Sequence, residues 1–337
     1  MAAVGSEEVV TVDWAQLQAG ADLSKEITRA YGEGALGILL VRGVPGVAER
    51  RRALLPLARS LARLPAETLA GLERPEAAYC SGWSHGKEKF KDGPDLAKGS
   101  FYANPLYDDP ADGDEEVRAK YPYAASKNLW PESLPELGSA FKDMGRLLLD
   151  VAKLIVRQCD TIVTAQTGHR SLLYDTTFAE SRMVLGRLLH YFAVEEGSGG
   201  SWCGWHNDNS TITGLVPAMW LNDATGEELP GPPASESGLY VQGRSGAVTK
   251  VSMPPDCLGF QIGEAAQILS GGVLRATPHH VRGHCSKPGE VRISRETFAC
   301  FFEPQWDKQI GPPEGAGLTD IFRGEETELI PPLSKRF

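Results

Sequence analysis

The chain has 337 residues, 42% of them hydrophobic, and a formal net charge of -10, which is enough for a sizeable core in one large or two modest soluble domains. The acidic balance argues against nucleic acid and anionic membrane surfaces as partners, because both require a basic face. No apolar run could span a bilayer, the N-terminus lacks the features of a secretory signal, and the cysteines are scattered without a C-x-x-C pair, so we expect a cytoplasmic protein with reduced thiols.

The first half of the chain combines helices with one apolar strand. Helical spacing covers residues 22–33, a short apolar strand ends near Gly43, and an amphipathic helix is predicted over 48–64. Residues 75–132 are aromatic, charged and rich in Gly and Pro, which predicts a long surface excursion of the kind that often forms a binding loop or lid. The pattern over 137–160 predicts a long helix packed along a sheet.

From about residue 183 the sequence pattern changes and predicts short strands separated by Gly, Pro and Asn. Their regular spacing favours an all-β sandwich or barrel, and short antiparallel strands in two sheets form a jelly roll that can hold a ligand. We therefore predict an α+β fold with N-terminal helices, a long helix flanking the sheet and a double-stranded β-helix (jelly-roll) core. The predicted division is an N-terminal region at 1–182 that is integral to the fold, a jelly-roll core at 183–304 and a tail at 305–337 that wraps the surface.

A histidine and a carboxylate lie two residues apart in "GWHNDNSTITGL" (204–215). In an extended segment, His206 and Asp208 point to the same face and could reach one metal ion. Alone, the pair is more typical of polar residues in a turn, but three histidines downstream offer a third ligand: His279, His280 and His284. Two histidines and one carboxylate on one face of a metal form the facial triad of non-haem iron(II) oxygenases.

Two further strands carry a cation and a hydroxyl group on one face. In "VRISRETF", Arg292 and Ser294 share a face and together suit a carboxylate, since an arginine inside an apolar core needs an anionic partner. A surface-facing stripe is the alternative for this pair. In "RLLHYFAV", Arg187 and Tyr191 share a face, and the tyrosine hydroxyl could help to hold the same anion. His190, on the other face, is more typical of a structural histidine than of a ligand.

These motifs resemble the isopenicillin N synthase-like group of iron(II)- and 2-oxoglutarate-dependent dioxygenases. That family has H-x-D, a distal histidine in an A-T-x-H context and R-x-S in this order, and the chain has "HND" (206–208), "ATPHHV" (276–281) and "RIS" (292–294). The similarity extends to "IGEAAQILSGG" before the distal histidine, to "LLHYF" at the place of the cosubstrate tyrosine, and to the N-terminal "EITRAYGEGALGILLVRGVPG". The chain departs from the pattern by having His280 where the family commonly has arginine, and by a longer spacing to R-x-S.

The resemblance implies a jelly-roll oxygenase that uses iron(II), 2-oxoglutarate and dioxygen. The implied metal ligands are His206, Asp208 and His279, the last selected over His280 by the A-T-x-H frame. The implied ligands of the far carboxylate of 2-oxoglutarate are Arg292, Ser294 and Tyr191. The implied reaction oxidises an unactivated C–H bond of a small metabolite, by hydroxylation, desaturation or cyclisation, with release of succinate and carbon dioxide.

The sequence does not specify the substrate. Candidate contacts are Phe101, Tyr102 and Trp205, with aromatic packing under a loop as an equal alternative. Arg187 could bind a substrate carboxylate or form a structural ion pair. We expect a small-molecule substrate and favour a monomer. Two alternatives to the main function are a catalytically silent jelly-roll binding protein and an iron oxidase of the same family that takes no 2-oxoglutarate.

Overall fold

The computed structural model describes residues 4–5, 8–90, 93–195, 201–234, 236–287, 289–314 and 321. The helices are α1 (Trp14–Gln18), α2 (Ser24–Tyr31), α3 (Val47–Ala62), α4 (Ala66–Gly71), α5 (Glu115–Lys120), α6 (Pro122–Ala125), α7 (Glu136–Thr167) and α8 (Glu264–Leu269). The strands are β1 (Val4–Gly5), β2 (Val10–Asp13), β3 (Ile38–Arg42), β4 (Gly82–His85), β5 (Lys89–Phe90), β6 (Gly93–Pro94), β7 (Lys98–Ala103), β8 (Val184–Tyr191), β9 (Val194–Glu195), β10 (Ser201–His206), β11 (Ile212–Leu215), β12 (Met219–Asn222), β13 (Glu228–Leu229), β14 (Gly238–Gln242), β15 (Val248–Val251), β16 (Cys257–Ile262), β17 (His279–Arg282), β18 (Cys285–Ser286) and β19 (Ile293–Phe302).

Two β-sheets face each other and enclose a cavity. The larger sheet follows the order β2-β3-β16-β11-β19-β8-β7-β4, with β12 also paired to β19 and β13 to β12. The smaller sheet follows the order β1-β15-β14-β17-β10. Side chains from both sheets line the same cavity, which is the arrangement of a jelly roll. The predicted α+β fold with a jelly-roll core is confirmed.

The larger sheet has one face on the cavity and the other on the helices, and β19 shows how the sequence achieves this. Successive residues of a strand point to opposite faces. Arg295 and Thr297 line the cavity, whereas Phe298 and Phe302 are fully buried in the hydrophobic core on the other side. The ring of Phe141 from α7 lies 4.8 Å from that of Phe298 between centroids. The alternation of β19 therefore separates a binding face from a packing face.

The long helix α7 packs into this core against the larger sheet. Its buried stripe includes Leu148, Val151 and Ile155, a spacing of three and four residues that keeps apolar side chains on one face. The helix ends at Gly168, whose φ of 73° is the left-handed conformation that favours glycine after a helix. It contains the helix predicted at 137–160 and continues beyond it. Among the described helices, α7 included, none is both long and apolar enough to cross a membrane.

The N-terminal elements follow the predicted order. The helix predicted at 22–33 is α2, the strand ending near Gly43 is β3, and the helix predicted over 48–64 is α3. β3 pairs antiparallel with β16, so this part of the N-terminal half lies within the larger sheet.

The predicted surface excursion at 75–132 is wrong at 82–85 and 98–103, in its first half. β4 and β7 pair with each other, and β7 pairs with β8, so both strands belong to the larger sheet. Every residue of β7 is buried. The charged and aromatic composition has a different cause, because the buried Lys98 forms an ion pair with Glu88 at 3.0 Å and Phe101 packs in the core.

The predicted tail at 305–337 is described only in part. Residues 305–314 follow β19 without a helix or strand, and Ile321 is buried. Residues 315–320 and 322–337, and with them most of this prediction, lie outside the described residues.

Candidate metal centre

The two sheets enclose a cavity of about 200 Å³. Its walls are mainly apolar and include Leu189, Leu215 and Val251, from three different strands. Its polar groups include two arginines, Arg187 and Arg295, and a cluster of potential metal ligands. A mainly apolar cavity with a few convergent polar groups is the usual form of a small-molecule site.

His206, Asp208 and His279 converge on one point of the cavity wall. His206 is the last residue of β10 and His279 the first of β17, and the antiparallel register pairs the two directly. Their ring centroids are 4.2 Å apart, and Asp208 Oδ1 lies 3.8 Å from His206 Nε2 and 3.6 Å from His279 Nε2. One ligand atom of each residue lies within 4.8 Å of the others. Two imidazoles and one carboxylate so arranged could hold a divalent metal ion on one face and leave its other positions open.

Backbone contacts hold the H-x-D segment in place. The carbonyl oxygen of Asp208 accepts a hydrogen bond from the N–H of Glu264, the first residue of α8, at 2.8 Å. Gly263 permits this approach, since a Cβ there would lie 2.0 Å from a backbone carbonyl oxygen of the segment that follows Asp208. His206 Nδ1 is 2.9 Å from the carbonyl oxygen of Gly204, to which it can donate, and this leaves Nε2 available to a metal.

His280 faces away from the potential ligands. It follows His279 on β17, so its side chain lies on the opposite face of the strand. Its ring packs against Trp205 at 4.1 Å and Tyr240 at 5.2 Å between centroids. Within the described part of the chain, the ligand cluster contains His279 and neither His280 nor His284.

The pKa values of the two clustered histidines are shifted in opposite directions. Burial lowers the pKa of His279 to about 4, so its ring is neutral at physiological pH, as a metal ligand must be. Burial also disfavours the charged form of His206, but the neighbouring Cys203 and Asp208 favour it and raise its pKa to about 9.

The structure does not bring Arg292 and Ser294 into the cavity. Arg292 precedes β19, is exposed, and donates from Nη2 to the carbonyl oxygen of Ala193 at 3.3 Å. Ser294 is buried on the outer face of β19, where its hydroxyl donates to Glu296 at 2.8 Å. His190 Nδ1 contacts the same carboxylate at 2.9 Å. Strand alternation explains these placements, since 292, 294 and 296 share the face that is turned away from the cavity.

Arg295 is the arginine of β19 that lines the cavity. It is 7% exposed, and its Cζ lies 4.9 Å and 5.8 Å from the ring centroids of Tyr191 and Trp220. Its Nε and Nη1 are buried and have no hydrogen-bond partner among the described residues. A guanidinium in such a place calls for an anion, because it cannot shed its proton and burial without a partner is costly.

The sequence contains a second arginine-x-hydroxyl pattern, which begins at Arg295 and overlaps the segment that matches R-x-S. Arg295 and Thr297 repeat the arginine-x-hydroxyl pattern of "RIS" three residues later and on the opposite face of the strand. The match to R-x-S is not complete, because the Thr297 hydroxyl donates to a backbone carbonyl oxygen at 3.0 Å. Tyr191, the third predicted anchor, does line the cavity and lies opposite Arg295 in the register of β8 and β19.

Arg187 lines the cavity but already has an anionic partner. Its Nη2 forms an ion pair with Glu88, and its Nε donates to Ser100 Oγ at 3.0 Å. Glu88 also accepts a hydrogen bond from the hydroxyl of Tyr102 at 3.2 Å. Burial disfavours the Glu88 carboxylate, but Arg187 and Lys98 lower its pKa to about 2. Of the two roles predicted for Arg187, this geometry supports the structural ion pair.

The aromatic substrate candidates are held by contacts with other protein side chains. Phe101 is fully buried, with its ring 6.0 Å from that of Phe141. Tyr102 is held by Glu88, and Trp205 stacks on His280. In the described chain, none of the three is among the residues that line this cavity. These placements favour the alternative of aromatic packing.

Solved structures of similar fold come from several organisms, although no protein-family model and no curated protein matches the chain. A Neurospora crassa protein in complex with alpha-KG and thymine has a TM-score of 0.68 at 18% identity, covering 94% of this chain and 92% of that chain. A Caulobacter crescentus protein described as a 2OG-Fe(II) oxygenase family member has a TM-score of 0.66 at 21% identity, covering 94% and 92%. The Arabidopsis thaliana dioxygenase for auxin oxidation, in a complex with 2-oxoglutarate, has a TM-score of 0.60 at 16% identity, covering 91% and 96%. The chain therefore has the fold of 2-oxoglutarate- and iron-dependent oxygenases.

Proposed function

We propose that the protein is an iron(II)- and 2-oxoglutarate-dependent oxygenase that oxidises an unactivated C–H bond of a small molecule. The observation that carries the proposal is that one cavity holds both the His206–Asp208–His279 cluster and the buried guanidinium nitrogens of Arg295 that lack a partner in the described chain. A metal-ligand cluster alone would suit many metalloproteins, and a buried cation alone would suit many anions. Together they match a keto acid, which can chelate a metal at one end and present a carboxylate at the other.

The metal site is assigned to His206, Asp208 and His279. Imidazole and carboxylate ligands on one face suit iron(II), and the fold is shared with oxygenases described as iron-dependent. When bound, iron(II) would supply the activation of dioxygen, coupled to oxidation of 2-oxoglutarate to succinate and carbon dioxide. The contribution of the chain is to hold the three side chains on one wall and to surround them with apolar groups that exclude water.

The far carboxylate of 2-oxoglutarate is assigned to Arg295 with Tyr191. The planar guanidinium can donate two parallel hydrogen bonds to a carboxylate, and the Tyr191 ring lies beside it, with its centroid 4.9 Å from Arg295 Cζ. The predicted anchors Arg292 and Ser294 lie on the other side of the strand, which leaves Arg295 as the arginine of β19 that can meet the cosubstrate in the cavity. Two of the solved structures of similar fold contain this cosubstrate, named alpha-KG or 2-oxoglutarate.

A small-molecule substrate is supported by the enclosure of the cavity between two sheets. Arg187 does not require a substrate carboxylate, because Glu88 already balances its charge. The part of the substrate next to Arg187 therefore does not need to carry a negative charge.

The metal assignment is tested by the visible spectrum of the anaerobic protein with iron(II) and 2-oxoglutarate. A metal-chelated keto acid is expected to give a weak charge-transfer band. Replacing His279 by Ala should abolish the band, and the matched change of its neighbour, His280→Ala, should leave it. Loss of the band in the His280 variant alone would show that the wrong histidine has been assigned.

The reaction is tested by succinate release. Incubation with a metabolite extract should release succinate only when iron(II), 2-oxoglutarate and dioxygen are all present, and mass spectrometry should then find a product altered by oxidation. Product formation without 2-oxoglutarate would favour the cosubstrate-independent oxidase. Ligand binding with no turnover under any of these conditions would favour the silent binding protein.

A further inference from the structure

Gln261 contacts one of the proposed metal ligands from inside the fold. It lies on β16, is 1% exposed and lines the cavity. Its amide nitrogen is 2.8 Å from His279 Nδ1. Its Oε1 is buried and has no hydrogen-bond partner among the described residues. Buried polar groups nearly always form hydrogen bonds, so the lack of a partner for the Gln261 oxygen requires an explanation.

The orientation of His279 decides which of its nitrogens can meet a metal. Nε2 faces Asp208 Oδ1 at 3.6 Å, whereas Nδ1 faces the strands, with the Thr277 carbonyl oxygen at 3.3 Å and the Gln261 amide at 2.8 Å. A neutral imidazole carries its proton on one nitrogen and a lone pair on the other. With Nε2 bound to a metal, the proton is on Nδ1, and Nδ1 is then a hydrogen-bond donor.

A donor at Nδ1 needs an acceptor at the place where the Gln261 amide lies. The amide nitrogen is itself a donor and cannot accept this proton. A half turn of the amide about its last side-chain bond exchanges nitrogen and oxygen at nearly the same positions. The turn would give Nδ1–H an acceptor and would give Oε1 the partner that it lacks. The Thr277 carbonyl oxygen is a weaker alternative because it is farther away.

We propose that Gln261 is a positioning residue of the metal site, whose side-chain oxygen accepts the Nδ1–H of His279 and thereby fixes the tautomer and ring orientation that metal binding requires. The inference rests on the proposed function in one respect, namely that His279 binds the metal through Nε2. His206 has the equivalent support from the carbonyl oxygen of Gly204, which belongs to the backbone. Gln261 supplies the same support from a side chain and can therefore be removed by mutation.

The test is the affinity of the protein for Mn(II), measured by anaerobic calorimetric titration without cosubstrate. Gln261→Met keeps the length of the side chain and removes the acceptor, and we expect it to weaken Mn(II) binding by about 10–100-fold. Gln261→Glu introduces a carboxylate that in its ionised form can only accept a hydrogen bond, and we expect this variant to bind Mn(II) at least as tightly as the wild type. Gln242→Met is the matched control, because Gln242 Oε1 also lacks a partner among the described residues but its side chain does not belong to the ligand cluster. Equal losses in the Met and Glu variants of Gln261 would overturn the inference in favour of a packing role.

A second readout observes the proton itself. In Zn(II)-loaded protein with nitrogen-15-labelled histidine, the Nδ1–H of His279 should give a slowly exchanging signal in the wild type and in Gln261→Glu. Its exchange should become faster in Gln261→Met; should that variant not fold, the signal in the Glu variant decides, and its absence there would overturn the inference. A wild type that binds no metal would refute the proposed function itself. A wild type that binds metal, with unchanged affinity and exchange in Gln261→Met, would refute the role of Gln261 alone.

Discussion

Both faces of β19 bury polar side chains, but the two faces differ in whether these side chains have hydrogen-bond partners within the described part of the chain. On the outer face, the Glu296 carboxylate lies 2.9 Å from His190 Nδ1 and accepts a hydrogen bond from Ser294 Oγ at 2.8 Å. On the cavity face, Nε and Nη1 of Arg295 are buried without a partner in the described part of the chain. Glu296 is 0% exposed and Arg295 is 7% exposed, so burial does not distinguish the two sites.

This difference distinguishes buried polar residues that stabilise the fold from buried polar residues that bind a ligand. A buried polar cluster whose members satisfy one another is explained by the framework that it stabilises. A buried guanidinium with unsatisfied donors costs free energy in the folded protein and is explained by a partner that arrives later. By the same criterion Arg187, which is paired with Glu88, belongs to the framework although it lines the cavity.

Arg295→Met is expected to have the largest effect, and on ligand binding rather than on folding. Met keeps the length and apolar bulk of the side chain and removes its charge. Hydrogen bonds to a charged group contribute about 1.5–3 kcal/mol each, so loss of a two-pronged contact should weaken 2-oxoglutarate binding by about 100-fold or more. The free energy of unfolding without cosubstrate should stay the same or rise, because an unpaired buried charge is removed.

Both quantities can be measured on one preparation, by calorimetric titration of the Mn(II)-loaded protein with 2-oxoglutarate and by urea unfolding of the protein without ligands. A variant that binds 2-oxoglutarate normally but unfolds easily would place Arg295 in the framework and remove the contrast between the two faces.

Glu296→Ala is expected to have the opposite profile. It leaves His190 and Ser294 unpartnered in the core, and breaking a buried pair in this way lowers the free energy of unfolding by about 3 kcal/mol or more. Glu296→Gln, the matched control, keeps the shape and an acceptor for Ser294 and should cost less. In both variants the folded protein should bind 2-oxoglutarate with wild-type affinity. A selective loss of that affinity would show that the outer cluster also acts on the site.

Glu88 gives a smaller effect that depends on pH. Its pKa in the folded protein is about 2, below the ordinary value of 4.5. The unfolded chain therefore takes up the proton first, and the stabilisation from this carboxylate is complete above about pH 4.5 and is lost as the pH falls towards 2. Urea unfolding of the wild type and of Glu88→Gln should give a difference in unfolding free energy that is constant near neutral pH and shrinks in acid. The effect should be modest because the Glu88 side chain is 40% exposed, and a difference that grows in acid would contradict the ion pair with Arg187.

The sequence predicted the fold, and it singled out His206, Asp208 and His279, whose side chains the structure brings together as potential metal ligands. Periodicity identifies α7 and the strands of the core, and the pair His206 and Asp208 falls on one face of an extended segment. The third potential ligand, His279, was selected over His280 only by the resemblance of "ATPHHV" to the A-T-x-H frame of the family. These features can be recognised in the sequence without knowing which strands pair with each other.

The anchor of the proposed cosubstrate could not be predicted in the same way. "VRISRETF" contains an arginine-x-hydroxyl pattern in both registers, and only the pairing of β19 with β8, which sets Arg295 opposite Tyr191, decides which face lines the cavity. The ion pair between Arg187 and Glu88 joins residues 99 positions apart, and it depends on strands whose composition predicted a surface loop. The contact between Gln261 and His279 also joins two different strands, so the local sequence pattern does not predict it.

Arg292→Lys is expected to have the smallest effect, and it tests the choice of face directly. Arg292 is exposed and donates to a backbone carbonyl oxygen outside the cavity, and exposed charges contribute little. The affinity for 2-oxoglutarate should therefore change by no more than about twofold, a shift of roughly 0.4 kcal/mol. Arg295→Lys makes the same chemical change three residues later and should weaken binding strongly, because an ammonium group cannot reproduce a two-pronged contact with a carboxylate. Calorimetric titrations of the two variants side by side compare the two faces of one strand with charge held constant. If Arg292→Lys were the variant that lost affinity, the "RIS" motif would be the anchor after all and the outer face of β19 would be the one that meets the cosubstrate.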